Sequence, residues 1–167
     1  MMRHGNALKG GPDPTRPLSE KGAREADAAG NFLRSVKEIP DVIFHSPLLR
    51  SLESAERVEK ALKATGLLRR HDELEPEDSP KDFISEVLEE FADRLGADYR
   101  IMVVGHEPFI SGLASLLLWR SRCDLPFGTG TLLEAESHDP RKAWDLCFYV
   151  KAKYLVKLSS GSDAKES

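Results

Sequence analysis

At 167 residues, with 40% hydrophobic and 31% charged side chains, the chain has the make-up of one soluble globular domain large enough to bury a real core. A net charge of −4 excludes a general nucleic-acid footprint, so any anion binding has to come from a local cluster of cations. No apolar run is long enough to span a membrane, and no signal peptide is expected ahead of Arg3. The two cysteines, Cys123 and Cys147, lack metal-ligand spacing, so a reducing, cytoplasmic setting is expected, with a single disulfide left open.

Taken in order, the chain opens on Arg3-His4-Gly5. Only Met1 and Met2 stand ahead of Arg3, so a first strand here is very short: either the chain begins late or that strand is clipped. Asn6–Pro17 holds Gly10, Gly11 and Pro12 in succession and reads as an active-site loop. Ser19 is placed to cap a helix running to about Val36, with Ala26, Ala29, Leu33 and Val36 on one face. Asp41-Val42-Ile43-Phe44 is a buried strand. Leu48 to about Ala64 is a second helix, built on Leu52, Ala55, Val58 and Leu62 and ended by Gly66. Ser79-Pro80-Lys81-Asp82 starts a third, with Ser at the N-cap and Pro at the first helical position. Phe83, Val87, Phe91 and Leu95 recur every fourth residue, and Gly96 stops it.

The β-branched run Ile101–Val104 predicts a strand, followed by Gly105-His106 and a helix over Pro108–Trp119. Thr131–Glu136 and Trp144–Val150 alternate as strands do, joined by the turn-rich Ser137-His138-Asp139-Pro140. The tail Ser159–Ser167 is small and polar and is expected to be disordered, which leaves one domain over 1–158. Strands alternating with helices predict a three-layer α/β/α sandwich around a mostly parallel sheet.

The chemistry sits where predicted strands end. His4 and His106 each stand beside a glycine at such an end, where open α/β sheets bind ligands. Two histidines with arginines suggest one anionic site. A neutral imidazole is a competent nucleophile for a phosphoryl group, and arginines beside it depress its pKa. Arginine's planar fork contacts two phosphate oxygens at once. A second histidine, if protonated, adds a donor to the same oxygens. No metal constellation and no nucleotide loop is present in the sequence; Gly128 and Gly130 do not form one. No cofactor is expected.

Alone, each piece is weak. Together, Arg3-His4-Gly5, Arg16-Pro17-Leu18-Ser19, His45-Ser46-Pro47-Leu48-Leu49-Arg50 and Val104-Gly105-His106-Glu107-Pro108 resemble the histidine phosphatase superfamily, the phosphoglycerate mutase-like fold. Within it the short chain is similar to the SixA-type phosphohistidine phosphatases. The resemblance implies that His4 is the phosphorylated nucleophile, that Arg3 and Arg50 bind the phosphoryl group, and that His106 stands opposite as a further donor. Arg16, Asn6 and Glu107 are implied as substrate-binding residues. One departure is Arg50-Ser51-Leu52-Glu53-Ser54-Ala55, where the superfamily often has Arg-Ala-x-Gln-Thr-Ala, so a charge at Glu53 stands near the site.

Three functions remain open on this reading. The first is removal of phosphate from phosphohistidine on a protein, such as a histidine-containing phosphotransfer domain. The second is hydrolysis of a small phosphorylated metabolite such as a sugar phosphate. The third is a non-catalytic module that binds phosphate or phosphoprotein. The segment from Arg50 to Gly105 is too short for a long insertion over the site, which favours an open, shallow pocket and the first function.

Overall fold

The computed structural model describes residues 1–89, 91, 99–121, 123, 125–139 and 141–162. Its strands are β1 (Met2–Arg3), β2 (Val42–His45), β3 (Leu68–Arg70), β4 (Ile101–Gly105), β5 (Leu132–Glu136) and β6 (Asp145–Val150). They form one sheet in the order β3-β2-β4-β1-β5-β6. The first four are parallel; β5 runs antiparallel to β1, and β6 antiparallel to β5. The sheet is mostly parallel, as expected, with one reversed strand.

Side chains alternate across the pleat, so successive residues of one strand enter different cores. Val42, Phe44 and Val103 face one core with Phe83, Ile84, Phe109 and Leu113. Ile43, Met102 and Val104 face the other with Ala26, Ala29, Val58 and Leu155. The helices that cover the faces are α1 (Glu20–Val36), α2 (Leu49–Leu62), α3 (Pro80–Phe83), α4 (Phe109–Trp119) and α5 (Ala152–Ser162). Thus α1, α2 and α5 lie on one side and α3 and α4 on the other, which is the three-layer arrangement.

The helix starts form for the expected reasons. Ser19 caps α1, its Oγ accepting the Gly22 N–H at 3.1 Å. Ser79 caps α3 from the Asp82 N–H at 3.4 Å, with Pro80 following. Beyond α3 the chain widens into i→i+5 turns over Ile84–Leu88. Phe83 and Val87, four residues apart on one face, are both buried. Leu95 and Gly96 lie outside the described residues, as do Pro140 and the end of the tail, 163–167.

One helix end differs from expectation. α2 stops at Leu62, and Lys63 takes the left-handed conformation there, with φ 57. Gly66 instead turns the chain toward β3 with φ 80. A close approach that only glycine permits places the loop ahead of α1. A Cβ on Gly22 would stand 2.0 Å from the Asn6 carbonyl oxygen, and one on Gly5 2.4 Å from the Gly22 oxygen. The segment after the first strand therefore lies directly on the first turn of α1.

Candidate functional site

Strand pairing brings the two histidines together. β1 and β4 are parallel neighbours with Arg3 opposite Gly105. His4 and His106 are each the next residue, so both leave the sheet side by side at its C-terminal edge. The His4 N–H donates to the Gly105 oxygen at 3.0 Å, and the two imidazole centroids are 4.8 Å apart. Next to β4 on the other side, β2 ends at His45, opposite Val104, and the chain turns into α2, whose first turn carries Arg50.

The hydrogen bonds of His4 fix its tautomer. Nδ1 donates to the Gly5 carbonyl at 2.7 Å, so the opposite nitrogen, Nε2, keeps a lone pair. Arg50 Nε donates to that lone pair at 3.3 Å. The imidazole is 7% exposed. Burial first, and then the charges of Arg50, Arg3 and Arg16, push its pKa down to about 4, against the pull of the Gly5 carbonyl. Sequence reasoning credited the arginines alone; removal from water is the larger cause.

His106 is 1% exposed, and its pKa is pushed down to about 3 by burial and then by His4 and Arg50. It is neutral at pH 7, so its donor is not a second charge. Ser46 Oγ lies 2.5 Å from His106 Nε2 and accepts the Leu48 N–H at 3.3 Å. When the Ser46 hydroxyl donates to Nε2, the proton of His106 is on Nδ1. That Nδ1 is buried without a hydrogen-bond partner.

The arginines differ in their anchoring. Arg50 is 4% exposed, and beyond His4 it donates Nη1 to the Asp13 main-chain oxygen at 2.9 Å and Nη2 to Asp13 Oδ2 at 3.1 Å. Arg16 donates Nε to Asp13 Oδ1 at 2.9 Å, and its Nη2 makes a second bond to the same oxygen. Arg3 donates Nη1 to the Phe127 carbonyl at 2.6 Å, while its buried Nε has no partner.

Other residues implied by the resemblance serve the frame around these groups. Asn6 Oδ1 accepts the Ser19 hydroxyl at 2.8 Å, and its main-chain N–H donates to buried Glu25 Oε2 at 2.8 Å. Glu107 accepts the Phe127 N–H at 2.9 Å and the Ser111 hydroxyl at 2.6 Å. Because Phe127 in turn holds Arg3, the Glu107 carboxylate braces the segment that aims that arginine. Glu53, whose charge had no assigned role, accepts the Leu18 N–H at 2.6 Å and pins the loop neck. His45 packs at its strand end with Nδ1 on the Ser46 carbonyl, 2.9 Å away.

Sequence reasoning missed Asp13, Ser46 and Glu25. Asp13 sat within the segment read as an active-site loop, and Ser46 beside a motif histidine, but neither spacing named a role. Among the described residues no three metal-ligating side chains cluster, and both cysteines are free and exposed. No helix among those residues is long and apolar enough to cross a membrane. A cavity of about 740 Å³ lies at the other edge of the sheet, where β1 and β4 begin, lined by Met1, Arg100, Ile101 and Trp144; none of the groups above borders it.

Paired histidines stand at adjacent strand ends, backed by the buried Arg50 and the half-buried Arg3 and Arg16. The model of the histidine phosphatase superfamily (branch 1) matches residues 1–75. Over that part, a little under half of its length, the chain is similar to that superfamily. The 2,3-bisphosphoglycerate-dependent phosphoglycerate mutase of Tropheryma whipplei strain Twist is 42% identical over 62 residues, 33% of this chain and 27% of the mutase, so the match spans about a quarter of that relative's length. The protein histidine phosphatase SixA complexed with tungstate superposes with a TM-score of 0.82 at 23% identity, covering 92% of this chain and 96% of that one. A mycobacterial glucosyl-3-phosphoglycerate phosphatase, in complex with VO3, gives 0.62 at 19% identity, covering 90% and 97%. These likenesses bear on the fold.

Proposed function

We propose that the protein is a metal-independent phosphatase that works through a phosphohistidine intermediate on His4, with phosphohistidine on a partner protein as its substrate. One observation carries the reading. Beside an imidazole Nε2 held neutral stand two buried donors without partners, Arg3 Nε and His106 Nδ1. Buried unpaired donors are rare and costly in folded proteins. An arriving phosphoryl group supplies the oxygens that both lack.

The reaction follows from that geometry. His4 Nε2 attacks phosphorus in line; the P–Nε2 bond forms as the bond from phosphorus to the leaving nitrogen or oxygen breaks. Charge on the equatorial oxygens meets Arg3, Arg50, Arg16 and the His106 Nδ1–H. The leaving group takes up a proton from solvent, and the water that attacks in the next step returns one to solvent. Water then attacks phosphorus, the P–Nε2 bond breaks, its electron pair returns to His4, and inorganic phosphate departs.

The carboxylates around the site favour the phosphohistidine substrate. Glu107 is tied to Phe127 and Ser111, so it is not poised as a general acid. Such a site suits a leaving group that needs little help, and the imidazole of phosphohistidine is one. The second reading, a small phosphomonoester, draws on the likeness to the glucosyl-3-phosphoglycerate phosphatase. The test is to rank turnover of a phosphohistidine protein, a phosphoserine protein and sugar phosphates, with and without a chelator, in wild type and His4→Ala. The expected result is fastest turnover of the phosphohistidine protein, no effect of the chelator, no turnover by the variant, and acid-labile phosphate trapped on His4. Faster hydrolysis of a sugar phosphate selects the second reading. An active His4→Ala variant removes the mechanism.

A further inference from the structure

The loop between β1 and α1 carries an anion into the site it borders. Its neck is pinned: the Leu8 N–H donates to the Pro17 oxygen at 2.9 Å, and Leu18 is held by Glu53. Between these ties residues 8–15 are all exposed, and Gly10 and Gly11 take φ of 88 and 78, in the region that favours glycine. One side chain of this tip reaches back into the arginine cluster. Asp13 accepts Arg50 Nη2 on Oδ2 at 3.1 Å and Arg16 Nε on Oδ1 at 2.9 Å, while its main-chain oxygen takes Arg50 Nη1 at 2.9 Å. Both terminal nitrogens of the buried Arg50 are therefore engaged by one exposed residue, while its Nε meets the nucleophile at 3.3 Å.

We propose that Asp13 is an internal ligand of the phosphoryl-binding arginines, so that substrate binds by exchanging its phosphoryl group for this carboxylate. The proposal rests on the phosphatase reading of the site. In the free protein the carboxylate gives the buried Arg50 charge a counter-ion, which an isolated buried guanidinium would otherwise lack. A phosphoryl dianion brings more charge and three acceptor oxygens to the same forks, so it is the stronger ligand. The Asp13 side chain is 57% exposed and returns to water when displaced. Pro12 and Pro14 flank it and stiffen the tip, so the short turn over Asp13–Thr15 swings as a unit on the glycine pair.

The competing view is that Asp13 is a strut that holds Arg50 in place, and it predicts the opposite sign. Binding of inorganic phosphate is measured by calorimetry on the wild type, Asp13→Asn and Asp13→Glu. A latch closed about nine-tenths of the time weakens apparent affinity about tenfold. Asp13→Asn is therefore expected to bind phosphate about tenfold more tightly, with Asp13→Glu close to wild type. Equal or weaker binding by Asp13→Asn overturns the latch and leaves the phosphatase reading standing. Absence of phosphate binding in the wild type removes both. A measurement on the wild type alone guards against a variant that fails to fold: trypsin cleavage after the exposed Lys9 should accelerate when phosphate saturates the site. Protection of Lys9 by phosphate overturns the exchange.

Discussion

Replacing the proposed nucleophile should make the protein more resistant to acid. His4 is 7% exposed, its Nδ1 is spent on the Gly5 carbonyl, and Arg50 Nε stands 3.3 Å from Nε2. A proton on Nε2 would be buried and would face that guanidinium, which is why its folded pKa is about 4 against an ordinary 6.5. Between those values the unfolded chain holds a proton on His4 and the folded chain does not. Stability is therefore lost as pH falls from about 6.5 and levels off below about 4. At 1.36 kcal/mol per unit, His4 accounts for about 3 kcal/mol in full, of which about 2.5 kcal/mol is gone by pH 4.5. His4→Gln removes that share, and it also relieves the electrostatic pressure of His4 on His106. Urea unfolding at pH 7.0 and pH 4.5 measures it. Wild type should lose about 2.5 kcal/mol more than the variant between the two pH values, about 1 M in relative midpoint for an m of about 2 kcal/mol/M. If both proteins lose stability in parallel, His4 is not held neutral by the fold, and the argument for a neutral nucleophile falls with it.

Three further substitutions test the frame around that imidazole. Arg50→Lys keeps the charge but not the fork that spans His4 and the loop, so kcat/KM should fall by about 10²–10³; a lysine variant with wild-type kinetics makes Arg50 a structural residue. Ser46→Ala strands His106 Nε2 and the Leu48 N–H in a fully buried position, so denaturant unfolding should register a loss of about 1–3 kcal/mol. Its kcat should fall while KM holds, because the Nδ1–H of His106 is no longer enforced. Gly22→Ala puts a methyl group on the Asn6 backbone, and thermal melting with turnover assays should show about 1–3 kcal/mol of destabilisation together with lost activity. An unimpaired Gly22→Ala protein would mean that the Gly5–Asn6 segment moves away without disturbing His4.

The elements that announced themselves did so through patterns that water enforces. Ser19 and Ser79 cap helices because their hydroxyls meet free backbone N–H groups, and those residues are visible in one dimension. Ile101–Val104 reads as a strand because it is a short apolar, β-branched run, and four of the five residues of the strand that forms, Ile101–Gly105, are buried. β3 gave no such sign: Leu68 is half-buried and Arg69 and Arg70 are exposed, as suits a sheet edge, so nothing in their hydrophobicity marks a strand. Its place is set by pairing with β2, a long-range contact. α5 was unseen for a related reason. Its inward side chains, Ala152 and Leu155, are few and meet α1 and the sheet only after the chain has folded. The end of α2 follows the same logic, since local sequence favours Gly66 as the stop while Lys63 takes the left-handed turn.

The site divides along the same line. His4, Arg50 and His106 could be read because each occupies a strand end or the helix start after one, and parallel pairing of neighbouring strands turns such positions into spatial neighbours. What a linear reading cannot supply is the state of each group. His106 was expected to donate as a cation if protonated, and its burial leaves it a neutral imidazole beside the Ser46 hydroxyl instead. Glu107 adjoins a motif histidine, yet its carboxylate turns to Phe127 and so reaches Arg3 only through the backbone. Asp13 shows the limit most clearly. It lies in the stretch of lowest pattern content, flanked by prolines, and its meaning depends on Arg50, 37 residues away in sequence. Spacing identifies the residues that a fold must bring to one edge; hydrogen bonds between remote segments decide the state in which each of them is held.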